Sequence, residues 1–150
     1  MKKTVTAVLT AAIAMATPLF AGSSSATLGV SVQVVARTIL TVDSQPSTID
    51  VTADDIARGY VDLPQSVVFH VRSNAANGYT VEFQPVSYPF SRADVSWGST
   101  TATIGSDGAW LTQAYQQGTQ AGSLNVRLSL APGTQAGSYA WPVRFDAGSL

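Results

Sequence analysis

The stretch Ala26 to Val42, ATLGVSVQVVARTILTV, decides how this chain is read. Leu28, Val30, Val32 and Val34 fall on one face of an extended backbone, and Thr27, Gly29, Ser31 and Gln33 fall on the other. That period-two alternation is the mark of a half-buried strand. The parity breaks at Val34-Val35, and a second strand-like run, Arg37 to Asp43, follows with no Gly, Pro or Asn between to make a turn. Runs joined without a turn cannot fold back on each other as a hairpin. Two arrangements remain: one long strand that crosses between sheets, or an apolar arm that fills a groove elsewhere, in this molecule or in another.

Upstream of this stretch lies a targeting pattern. Lys2 and Lys3 form a positive start, Val5 to Phe20 is an apolar run interrupted by Pro18, and small residues follow. Such a segment is cleaved on export, here after Ala21 or after Ala26. Nothing downstream resembles a second membrane span. The chain therefore divides into a signal peptide (1–21), an N-terminal arm (22–36) and a folded domain (37–150).

The 150 residues carry a formal charge of −1, with 11% charged residues, 45% hydrophobic residues and no cysteine. One domain of this length can build a real core. Eight Lys plus Arg give no basic field for nucleic acid. Without cysteine there is no disulfide staple, so stability rests on packing and on closing sheet edges.

The mature chain reads as a succession of short strands separated by Gly, Pro and Asn turns. Ile49 and Val51 share one face of Ser47 to Thr52. Thr52-Ala53-Asp54-Asp55 has the pattern of a capped helical turn, ended by Gly59. Tyr60 to Leu63 stops at Pro64, and Ser66 to Arg72 puts Val67, Phe69 and Val71 inward. The turn Asn74 to Gly78 joins it to Tyr79, Val81 and Phe83, and this pair is the clearest hairpin expected. Strands follow at Ala93 to Trp97, Thr100 to Ile104 and Ala109 to Tyr115, then a polar loop at Gln116 to Gly122. Leu124, Val126, Leu128 and Leu130 face inward on the next strand, and Tyr139, Trp141, Val143 and Phe145 share a face of the last, Ser138 to Asp146. Pro142 within that strand cannot donate a ladder hydrogen bond, which marks an edge or a groove. The expected fold is all-β, an antiparallel β-sandwich.

Residues with catalytic potential are few. His70 is the only histidine, and strand parity points it outward; a His-rich or Cys-rich metal site cannot form. Asp54 and Asp55 are adjacent, splayed apart on a helical turn, and suit helix capping rather than acid–base pairing. Asp107 is a turn residue. No nucleophile elbow, phosphate loop or dinucleotide fingerprint occurs, so neither an enzyme nor a cofactor is expected. Trp97, Trp110, Tyr88 and Phe90 could form an aromatic platform for a sugar, although core packing is the simpler expectation for Trp97 and Trp110. A small outer-membrane barrel would need aromatic girdles and longer strands than these.

With its signal peptide, its alternating arm at Leu28 to Val34, and a strand ladder that ends without a closing strand, the chain resembles the pilin subunits of chaperone–usher fimbriae, in particular the archaic and spore-coat-U-like group. The connection Ala131-Pro132-Gly133-Thr134, continuing to Gly137-Ser138-Tyr139-Ala140-Trp141, is similar to the hairpin before the last strand of such subunits. The resemblance implies an immunoglobulin-like sandwich lacking its last strand. It also implies donor-strand assembly with neighbouring copies or related subunits, aided by a periplasmic chaperone and an outer-membrane usher. Leu28, Val30, Val32 and Val34 would be the donor contacts, and Tyr139, Trp141, Val143 and Phe145 the acceptor groove. The expected function is an exported structural subunit of a bacterial surface fimbria, passing through the periplasm to the cell surface. The alternatives are a secreted carbohydrate-binding sandwich and a self-complemented monomer.

Overall fold

A computed structural model describes residues 28–150, in two units, one ending at Gln33 and the other running from Val34 to Leu150. The signal-peptide reading (1–21) and the start of the arm lie outside the described residues. Residues 28–33 have no regular secondary structure, and Leu28, Val30 and Val32 are 85%, 75% and 81% exposed.

The second unit is an antiparallel, sandwich-like all-β fold. Its elements are β1 (Thr38–Ser44), β2 (Thr48–Val51), α1 (Ala53–Arg58), β3 (Tyr60–Ser73), β4 (Tyr79–Phe83), β5 (Phe90–Trp97), β6 (Thr100–Ile104), β7 (Ala109–Gln113), β8 (Thr119–Leu130), β9 (Gly137–Ala140) and β10 (Phe145–Ser149). One five-stranded sheet has the order β1-β3-β8-β5-β6, and a three-stranded sheet has the order β10-β4-β7; β2 and β9 form a separate pair. Alternation does the sorting. Val67, Phe69 and Val71 from the larger sheet meet Tyr79, Val81 and Phe83 from the smaller one in a single core cluster, while Val68 and Glu82 face solvent.

The helical turn forms as its sequence dictates. The Thr52 hydroxyl accepts from Asp55 N at 3.2 Å, the Asp55 carboxylate accepts from Thr52 N at 2.9 Å, and Gly59 ends the turn in the left-handed region at φ 80°. These reciprocal bonds occupy amides that a helix start leaves free.

The strand layout differs from the sequence-based expectation in several places. Tyr60–Leu63 and Ser66–Arg72 are one strand, β3, because Pro64 sits in a bulge where its missing N–H breaks no ladder bond. Gln65 takes φ 46° there, and its N–H donates to Asn125 Oδ1 at 2.9 Å. The expected β3–β4 hairpin is absent, since the two strands belong to different sheets. Gly78, at φ 94°, carries the chain across; a Cβ there would lie 2.3 Å from the Gln113 carbonyl oxygen on β7. The supposed loop at Gln116–Gly122 already belongs in part to β8, and Gly122 is a packing glycine whose Cβ would stand 2.6 Å from Phe69 Cζ. Finally, Ser138–Asp146 is not one strand: β9 pairs with β2, β10 pairs with β4, and Pro142 lies between them.

Candidate functional site: an open seam between β1 and β10

Among the described residues β1 is paired only to β3, and β10 only to β4, so each is the edge of its sheet. Register makes the consequence visible. Val42 stands beside Phe69 and Leu40 beside Val71, while Phe145 stands beside Phe83 and Ala147 beside Val81. The inner four are essentially inaccessible, whereas Leu40, Val42, Phe145 and Ala147 are only half-buried. Moving one strand outward on either sheet exposes the core layer along a common seam.

The seam is closed at one end, where Thr38 Oγ1 and Ser149 Oγ are hydrogen-bonded at 3.0 Å. Toward the other end it opens into a cleft of about 510 Å³, lined by Val42, Trp141, Val143 and Phe145 and rimmed by Gln45, Pro46 and Ser47. Phe145 forms its floor, stacked on Phe83 at 5.5 Å and edge-on to Phe69 at 5.6 Å.

The free edge of β10 also has unpaired backbone. Gln84 N donates to Arg144 O at 2.9 Å, and Leu150 N donates to Gly78 O at 3.1 Å. In an antiparallel ladder alternate residues point toward the partner. The even positions of β10 therefore face β4, and the main-chain groups of Phe145, Ala147 and Ser149 face the seam. One of these is already covered: Ala147 N donates to the Asp146 carboxylate at 2.7 Å.

Three of the four residues expected in an acceptor groove, Trp141, Val143 and Phe145, line this one cleft. Tyr139 does not. It lies on β9, edge-on to Phe90 at 6.3 Å, with its hydroxyl donating to Gln135 O at 2.8 Å. Val34, the last of the expected donor residues, is exposed. Sequence reasoning missed the wall supplied by Leu40 and Val42, although their alternation with Thr41 was there to be used. It also missed Asn74, read as a turn residue. The Asn74 side chain accepts from Arg37 N at 2.5 Å and donates to Val35 O at 3.0 Å, which pins the chain just before β1.

The aromatic expectations divide. Trp97 packs on Phe69 at 4.9 Å and Phe90 is buried, but Trp110 is 71% exposed, contrary to the core position expected for it. The hydrogen bond from the Thr52 side chain, more than any other contact, holds the Asp55 carboxyl below the usual range, and the bond from Arg127 does the same for Asp62. Burial pushes the Tyr79 hydroxyl up. His70 faces outward and pairs with Asp43 at 2.9 Å. Among the described residues, no three His, Cys, Asp or Glu side chains gather as a metal site. The seam offers a cleft of mixed lining, with apolar side chains in its wall, and backbone hydrogen-bonding groups, which is chemistry for binding an extended chain. No family model, curated protein or solved structure matches this sequence.

Proposed function

We propose that this protein is an exported structural subunit of a bacterial surface fibre, an immunoglobulin-like sandwich that lacks its last strand and is completed by the N-terminal arm of a neighbouring copy. The half-buried seam between β1 and β10 carries the reading. It has a cleft with Val42, Trp141, Val143 and Phe145 in its wall and the free strand edge that strand addition requires, and the same chain carries an alternating apolar arm to lie there. Before assembly the seam would need a temporary strand, the role of a periplasmic chaperone, and an usher would coordinate the exchange.

Addition between molecules is favoured by the root of the arm. For the arm to lie beside its own β1, the chain would have to reverse close to Val34–Thr38. That stretch contains no Gly, Pro or Asn, and Asn74 holds the main chain at both Val35 and Arg37.

The test is Val32→Asp in the full exported chain, which places a charge at the centre of the donor face. Losing one docked Val removes about 1.5–3 kcal/mol, and burying an unpaired carboxylate costs more. The variant is expected to reach the periplasm folded and chaperone-bound, yet to form no polymer by size-exclusion chromatography and electron microscopy. A wild type that stays a stable monomer without a chaperone, and that unfolds when Val32 becomes Asp, would replace this reading with self-complementation.

A further inference from the structure

The outward faces of the two sheets differ in how their polar groups are used. On the five-stranded sheet several are tied to one another. Arg127 holds Asp62 at 2.6 and 2.9 Å, Asp94 accepts from Thr103 at 2.7 Å and pairs with Arg92 at 3.2 Å, and Asn125 donates to Ser96 at 3.3 Å. The three-stranded sheet is different. Its register sets Trp110, Glu82 and Asp146 side by side in one row, with Thr112 and Thr80 in the next. Gln84 and Arg144, joined through their main chains at 2.9 Å, follow on the other side.

Glu82, Gln84, Thr112 and Arg144 are all exposed, and among the described residues their side chains enter no hydrogen bond or ion pair. Asp146 commits one oxygen to Ala147 N and keeps the other free. At the β7 edge of the sheet, beside Glu82, stands the Trp110 indole with 71% of its surface in water, while Trp97 and Trp141 are packed against the core.

We infer that this outer face is a binding site for a neutral oligosaccharide, with a pyranose ring stacked on Trp110. The apolar C–H face of a sugar ring matches an electron-rich indole, and its rim of hydroxyls needs both acceptors and donors close by. Glu82 and Asp146 supply acceptors, Arg144 supplies donors, and Gln84 supplies both. Strands about 4.8 Å apart place these groups around a footprint of one or two sugar rings. Two acids against one base leave too weak a field to select a strongly charged ligand. A second protein copy would find a single apolar side chain here, without the apolar centre that protein interfaces need. The site lies within one subunit, so it stands whether or not the arm docks in trans.

The experiment titrates the exported protein with neutral disaccharides of differing linkage (cellobiose, chitobiose, maltose, lactose, mannobiose) by calorimetry and tryptophan emission. At least one is expected to bind and shift the emission. Trp110→Ala should weaken that binding tenfold or more while leaving the urea midpoint unchanged, and Glu82→Ala should weaken it with the indole still present. The inference is overturned if no sugar in the panel binds, or if binding survives both substitutions. It is also overturned if Trp110→Ala abolishes self-association while sugars have no effect, which would give the face to a second copy.

Discussion

Phe145 offers the sharpest test of whether the seam is open in the isolated chain, because its partner Phe83 provides an internal control. The two rings stack at 5.5 Å on adjacent strands and in register, so they share neighbours and chemistry. They differ in what covers them. Phe83 is 1% exposed, whereas Phe145 is half-buried and floors the cleft. Truncating a fully enclosed Phe costs about 3–5 kcal/mol, part of it for the cavity left behind. At Phe145 water already reaches one side, so the lost transfer energy is smaller and no closed cavity forms; about 2–3 kcal/mol is expected.

The measurement compares urea unfolding of Phe83→Ala and Phe145→Ala in a Val32→Asp background, where no arm can occupy the cleft. Phe83→Ala should be the more damaging by at least about 1 kcal/mol, with m-values unchanged. If an arm docks in the cleft as proposed, the gap should narrow in the assembled wild type, since the docked strand would enclose Phe145 as fully as Phe83. Should Phe145→Ala cost as much as Phe83→Ala in the isolated chain, the seam is closed and strand addition at it is refuted.

Two further outcomes follow from named contacts. The fold stabilises the ionised Asp55, so its contribution is present above the ordinary Asp value of about 3.9 and is lost as pH falls through its lowered folded value. Thr52→Ala removes the main cause, and should lower stability by about 1 kcal/mol at neutral pH and flatten its decline below pH ~4, read from urea midpoints at both pH values. Asn74→Ala should free the chain just before β1: amide exchange at Arg37 should quicken roughly tenfold while the unfolding free energy from urea titration falls by under about 1.5 kcal/mol.

Period-two alternation was enough to locate the inward residues, because a strand has only two faces and the core selects one of them. Val67, Phe69, Val71, Val81 and Val126 could all be read this way. What alternation does not contain is the identity of the neighbouring strand. The turn at Asn74–Gly78 looks the same in sequence whether it closes a hairpin or crosses between sheets. Only the fit of Gly78 against Gln113 on β7, far along the chain and outside any local pattern, distinguishes the two. Gly122 misled for a related reason: a glycine that signals a loop in isolation is here the gap that admits Phe69 and Trp97. Trp110 was misplaced because size was taken as a proxy for burial, while its own parity, one residue before the buried Leu111, pointed outward.

Pro142 shows how local chemistry shapes the candidate groove. Trp141 N still donates to Ser47 O at 3.0 Å, on the β2 side, and Arg144 O already accepts from Gln84 N at 2.9 Å, on the β4 side. Between those two bonds the chain changes sheets, and it does so at the residue that has no N–H to lose. The side-chain alternation runs on through the change, so Trp141, Val143 and Phe145 keep one face although they no longer share one strand. An uninterrupted strand would have carried its ladder straight past β1 along a single partner. Switching partners instead leaves the edge of β10 free beside β1, with aromatic and aliphatic side chains already lining the opening between them.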